Sequence, residues 1–227
     1  MAIVHVQTVK GFPAGGTGTS VSVTLTLTAG NAVILFMMNN DDSLPVSTGA
    51  VSTLDRTISG GGNRMQMRST LNVGGGSTTY TFTNGNALLA LYASEFSGLA
   101  IANAFDQNNA TFLGAATSHP SGVTPNTIQA DELLISAFNG DGSGATVISI
   151  PTDGGTWTLG DSNGSDPNMI SGVAFRIVAA TGAYQGTWTL ADPADGISII
   201  GTYKAAAAAA AKNPYVPYQQ LQPILAQ

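Results

Sequence analysis

The sequence predicts an all-β protein: an antiparallel β-sandwich or jelly roll built from two related halves, followed by an extended tail of different character. Three observations predict this. Short runs alternate apolar and polar residues with a period of two. Clusters of Gly, Asn and Asp punctuate those runs. A set of segments in the first half also returns, in the same order, in the second.

Val21 to Thr28 is the clearest alternating run, with Val21, Val23, Leu25 and Leu27 on one face and hydroxyls on the other. That is the pattern of a strand with one face on a core and one in water. Tyr80 to Phe82, Thr156 to Leu159 and Met65 to Arg68 share the period. Ala32 to Met38 and Leu88 to Tyr92 are continuous apolar runs, as expected of central strands. Turns are expected at Gly60–Asn63, Gly74–Gly76, Asn84-Gly85, Asn139–Gly142, Asp153–Gly155 and Asn163-Gly164.

The repeat pairs Leu25–Leu35 with Asn126–Ser136, Gly76–Thr83 with Ala183–Leu190, and Ala87–Phe96 with Gly196–Ala205. Met65–Arg68 likewise matches Gly172–Val178. The halves span about residues 20–100 and 117–204, inside a sandwich domain of 1–204. Each half offers about four good strands, so the halves are expected to interleave into one sandwich; two separate small domains are the alternative.

Residues 205–227 differ in kind. Seven consecutive alanines lie between Lys204 and Lys212, which predicts a short Ala-rich helix. A Pro/Tyr/Gln segment follows, whose prolines favour an extended path. Tyr215, Val216, Tyr218, Leu221, Ile224 and Leu225 are apolar groups on a stretch that cannot form a core of its own. They read as a docking arm, with a disordered linker as the alternative.

Composition limits the function. Only 9% of residues are Asp, Glu, Lys or Arg, against about 25% in ordinary domains; so neutral a surface suits a chain covered by partners. A net charge of −6 with seven scattered Lys and Arg argues against nucleic acid, since Arg64 and Arg68 make the one local cluster. The chain has no cysteine, hence no disulfide or thiolate chemistry. Neither a secretory signal nor a transmembrane run is visible, which points to synthesis in the cytoplasm and no membrane partner.

Residues able to carry chemistry are few. His5 on the first strand and His119 in a loop before Pro120 lack companions at metal-ligand spacing. Glu95 and Glu132 fall near strand ends, where charges meet solvent, and do not read as a glycosidase pair. A Ser-His-Asp triad is not assigned from the sequence. Asp161, Asn163 and Asp166 are weak candidates for calcium, with Asn139 to Ser143 and Asn40 to Asp42 as further oxygen-rich loops. Trp157, Trp188, Tyr80 and Tyr184 read as core aromatics rather than sugar-stacking platforms. No catalytic or cofactor residue is assigned.

The segments Ala130–Ser136, Gly155–Leu159 and Thr187–Leu190 resemble duplicated β-sandwich proteins found among phage structural proteins and bacterial surface proteins. The resemblance covers roughly residues 20–205. It implies architecture and display without a reaction. The expected function is therefore a non-enzymatic virion component, either a capsid decoration or cement protein or a fibre or tail module, anchored through its C-terminal tail. Its partners would be other virion proteins, the major capsid or tail protein foremost, and further copies of itself, a trimer being favoured. The alternative is a carbohydrate-binding adhesion module.

Overall fold

The computed structural model describes residues 2–13, 17–41, 46–142, 148–163 and 169–207. Those residues form strands and connections, all strand pairing being antiparallel. The first half supplies β1 (Val4–Gly11), β2 (Thr17–Leu27), β3 (Ala32–Asn39), β4 (Val46–Gly49), β5 (Thr53–Gly60), β6 (Asn63–Thr70) and β7 (Gly76–Ser97). The second supplies β8 (Phe105–Pro120), β9 (Glu132–Asp141), β10 (Ile148–Ser149), β11 (Thr158–Ser162), β12 (Met169–Val178) and β13 (Thr187–Lys204).

Each half makes its own sheet, and the two sheets share one strand order. In the first it runs β1-β7-β3-β6-β5, and in the second β8-β13-β9-β12-β11. Strand β4 pairs with the start of β7 and β10 with the start of β13, so the side branches correspond too. The expected interleaving of halves is therefore corrected: strands do not cross between sheets. What the halves share is the space between them.

The reason lies in β3 and β9. Every residue of β3 is buried, and so is nearly all of β9. Because side chains alternate across a strand, a wholly apolar strand needs a cover on each face. Ile34, Phe36 and Met38 point into a core that also contains Leu133, Ile135, Ala137, Val173 and Ile199 of the second half. On the opposite face Val33, Leu35 and Met37 meet Val21, Val23, Leu25 and Leu27 of β2, together with Tyr80 and Phe82. Strand β7 makes this possible by folding over: Gly76–Thr83 pairs with β2, while Leu89–Ser97 pairs with β3 or β1. In the second half, Leu134, Phe138, Ile170 and Ala174 are covered by Trp157, Trp188 and Leu190. Four layers result, the two inner ones back to back.

The inner sheets meet in opposite order. Strand β1 lies against β11, β7 against β12, β3 against β9, β6 against β13 and β5 against β8. Asn39 and Asn139 come together at the same end, so β3 and β9 run in the same direction. Equivalent faces inward, reversed order and parallel central strands are what an approximate twofold axis along the strands produces, the geometry of an isologous dimer within one chain.

Several turns are where expected. Gly61 and Gly62 have φ of 57° and 80° and close the β5–β6 hairpin, a two-residue turn that needs positive φ at both positions. A Cβ on Gly61 would also lie 2.6 Å from the Phe112 ring of the other half. Two expected turns are not turns. Asn84-Gly85 lies within the bend of β7, and Asn139 to Asp141 belong to β9. Both dipeptides sit where a long strand bends or ends, which local composition does not separate from chain reversal. Trp157 precedes β11 rather than alternating along it.

At the C-terminus, Ala205 bridges to Leu99, and Ala206 donates its N–H to the Gly98 carbonyl at 2.8 Å. The first alanines of the run thus continue the extended chain. The expected helix, and Tyr215, Val216, Tyr218, Leu221, Ile224 and Leu225 with it, lie outside the described residues.

Asn139 tests the joint between halves. Its Nδ2 donates to the Asn39 carbonyl at 2.9 Å across the buried join between the two sheets. Removing a buried donor leaves its acceptor desolvated, so Asn139→Ala is expected to lower stability by about 1–3 kcal/mol in urea unfolding.

Candidate functional site

The two glutamates are not at the surface. Both Glu95 and Glu132 are fully buried, which corrects the expectation that they meet solvent. Glu95 is held by three donors: Gln7 Nε2 at 2.6 Å, the Thr28 N–H at 2.8 Å and Asn31 Nδ2 at 2.7 Å. These come from β1, the end of β2 and the start of β3, so one carboxylate ties three segments to β7. Such charge-assisted bonds are among the strongest available.

Glu132 is the opposite case. Neither of its oxygens has a partner at hydrogen-bond geometry. Burial pushes its carboxyl up to about 7; Asp106 adds to the shift, while Thr202 and Lys204 offset part of it. Glu95 and Glu132 lie on different sheets, facing different neighbours, and the structure does not bring them together as a pair.

Other ionisable and aromatic groups join one half to the other. Tyr203 of β13 donates to Asp55 Oδ2 of β5 at 2.7 Å. Burial raises the Asp55 carboxyl above its usual range, and the Tyr203 hydrogen bond opposes that. The Tyr92 hydroxyl of β7 bonds Ser171 Oγ of β12 at 2.8 Å. His5 packs its ring 4.5 Å from Phe175 and bonds the Thr8 hydroxyl, and burial lowers its pKa. His119 is corrected from a loop to the buried end of β8, against Phe138, and burial lowers its pKa too.

Of the calcium candidates, Asp161 and Asn163 fall among the described residues. Asp161 Oδ1 receives Lys10 Nζ at 2.7 Å and the Ser162 N–H at 2.7 Å, so an ammonium already neutralises it. Asn163 contributes its N–H to the Ser171 carbonyl. Asp166 lies outside the described residues, as does Asp42. Asn139 is buried in β9 rather than placed on a ligand loop. Among the described residues no group of three His, Cys, Asp or Glu could hold a metal ion.

Trp157, Trp188 and Tyr80 are buried, as the core reading expected. Trp188 Nε1 donates to Ser136 Oγ at 2.9 Å and Trp157 Nε1 to the Asp153 carbonyl at 3.2 Å. Tyr184 differs. It is partly accessible and lines a cavity of about 330 Å³ with Val123, Asp153, Gly154, Arg176 and Gln185. No single segment announces this cavity in the sequence, because its walls come from four. The available signal is Asp153-Gly154-Gly155 with Ser121, Thr124 and Thr127 spaced by three.

Those spaced hydroxyls build one wall. Ser121, Thr124 and Thr127 exchange hydrogen bonds with the main chain of Gly186, Tyr184 and Gly182, each receiving a main-chain N–H at its hydroxyl and donating its own N–H to a carbonyl. The strand-like segment 121–127 is thereby fixed against 182–186 without being part of a sheet.

No family model, curated protein or solved structure matches the chain.

Glu132 yields a pH prediction. Its folded pKa lies above the unfolded value, so the folded state holds its proton more tightly. Its contribution to stability is fully present below about 4.5 and is lost as the pH rises through about 7. Comparing urea midpoints from pH 4.5 to 8.5, Glu132→Gln should flatten this decline and exceed the parent in stability above pH 8. Identical slopes in both proteins would contradict the assignment.

Proposed function

We propose that this chain is a non-enzymatic structural protein of a phage-like virion, a capsid decoration or cement protein or a fibre or tail module. The observation that carries the reading is the use made of the chain's scarce reactive groups. Glu95, Tyr92, Tyr203 with Asp55, Lys10 with Asp161, and Trp188 each link one layer or half to another. A molecule that gives its carboxylates and aromatics to cross-ties is built for rigidity.

Two further features support it. Outer strands β2 and β7 present paired hydroxyls, Ser22 with Thr81 and Thr24 with Thr79, each at 2.8 Å, a neutral surface compatible with close neighbours. The C-terminal run leaves the sandwich beside Gly98 and Leu99, anchored up to Ala206. The apolar residues from Tyr215 to Leu225 would then dock on the major capsid or tail protein, with copies of the chain associating as a trimer on the particle.

A second reading, a carbohydrate-binding adhesion module, is favoured by the Tyr184–Arg176 cavity alone, since both tryptophans are unavailable for stacking.

Incorporation into particles tests the first reading. Because Ala205 and Ala206 are bonded to the sandwich, the informative truncation ends at Ala207. The shortened chain should keep the thermal stability of the full chain and be missing from purified particles. Particles that retain it at the normal level would contradict the docking role of the tail.

A further inference from the structure

The Arg176 side chain is prepared for a ligand it does not find within the protein. It rises from the outer face of β12 and lies on the turn made by Gly154 and Gly155. A Cβ on Gly155, whose φ is 141°, would lie 2.9 Å from the guanidinium carbon, and one on Gly154 would lie 3.0 Å from Nη1. Two successive glycines are what allows the guanidinium to rest flat against main chain. Nη1 donates to the Asp153 carbonyl at 3.2 Å, which fixes the plane of the fork.

The remaining donors have no anionic partner among the described residues. The ion pair found there is Lys10–Asp161, whose carboxylate belongs to β11, the strand next to β12, at the register of Val173. Asp153, which also lines the cavity, turns both carboxylate oxygens to Thr187, accepting from its N–H and its hydroxyl. That leaves the guanidinium fork as the charged group of the cavity still able to take a planar, two-oxygen acceptor.

The neighbours suit a small polar ring. Tyr184 is held at its N–H by Thr124, its hydroxyl donates to the Ala180 carbonyl, and the ring crosses Gly182 at 3.3 Å from a Cβ position there. Gln185 is oriented by its Nε2 bond to the Thr187 hydroxyl at 3.0 Å, which leaves its amide oxygen as an acceptor. Ala183 and Val123 complete an apolar wall. A fixed aromatic ring, an amide and a free guanidinium match the carbon face, hydroxyls and carboxylate of an acidic sugar.

We propose that this cavity binds a carboxylate-bearing saccharide residue, of the uronic or sialic acid class, with Arg176 on the carboxylate and Tyr184 against the ring. The proposal rests on the second, carbohydrate-binding reading and names the ligand class of that site.

Titration of the full chain with glucuronic acid and N-acetylneuraminic acid, alongside glucose and inorganic phosphate, tests it by calorimetry or by ligand-observed NMR. The acidic sugars should bind and glucose should not. Arg176→Lys should weaken them about tenfold despite keeping the charge, because the fork is lost. Tyr184→Leu should weaken them as well, and urea midpoints of both variants report whether the fold is kept. Binding of glucose as tight as that of the acids, unchanged by Arg176→Lys, would overturn the acidic class while leaving a carbohydrate site. Phosphate binding as tight as the sugars would reduce the site to an anion hole and overturn the proposal. No binding by any sugar would overturn the carbohydrate reading itself.

Discussion

Two apolar strands, β3 and β9, set the terms for everything else. Each carries large side chains on both faces, so neither can sit at a surface. The chain solves this by placing the two strands against each other and then covering their outer faces with separate arms. Phe36 and Ile34 lie on the shared side of β3, with Leu35 and Met37 on the other. The fold-over of β7, the same device in β13, and the reversed stacking of the sheets all follow from that need for double cover. The apolar surface removed from water at the shared interface is the main stabilising contribution, since the polar cross-ties each add only a modest net amount.

The strands whose environment is local were legible in the sequence. Val21, Val23, Leu25 and Leu27 face inward in β2 as their alternation demands, because one face meets water and the other meets core. Ala32 to Met38 is central, as a run without alternation implies. The matched segments do not correspond residue for residue: Gly76–Thr83 against Ala183–Leu190 sets buried Tyr80 on Thr187 and Thr81 on buried Trp188. By pairing register the counterpart of Tyr92 is Ile199, since Phe36 sits opposite Tyr92 and Ala137 opposite Ile199. At Tyr92 the sequence match, which gives Gly201, is displaced by two residues, a slip that keeps the same side chains inward and is therefore invisible to periodicity.

What was not legible depends on partners far along the chain. Glu95 looks like a solvent-facing strand end until Gln7, Thr28 and Asn31 are known to converge on it from 64 to 88 residues away. His119 appears to sit in a loop because Pro120 follows it, yet β8 extends to that proline along the β13 edge. The cavity beside Arg176 needs four separated segments, and its local signatures are the diglycine turn and the hydroxyls of Ser121, Thr124 and Thr127 spaced by three. Functional inference suffers most from this, since a residue such as Glu95, which resembles a catalytic candidate, is held as a tie by three distant donors.

If the account is right, the halves are one cooperative unit rather than two domains in series. Both tryptophans, Trp157 and Trp188, lie in the second half, while Phe36 lies in the first, at the shared interface. The most direct measurement is urea unfolding of Phe36→Ala followed by tryptophan fluorescence. Truncating a buried phenylalanine costs about 3–5 kcal/mol, and that loss should appear in the tryptophan transition as a lower midpoint, coincident with the loss of strand signal by circular dichroism. A tryptophan transition that stays at the parent's midpoint would show that the second half folds without the first and would contradict the shared core.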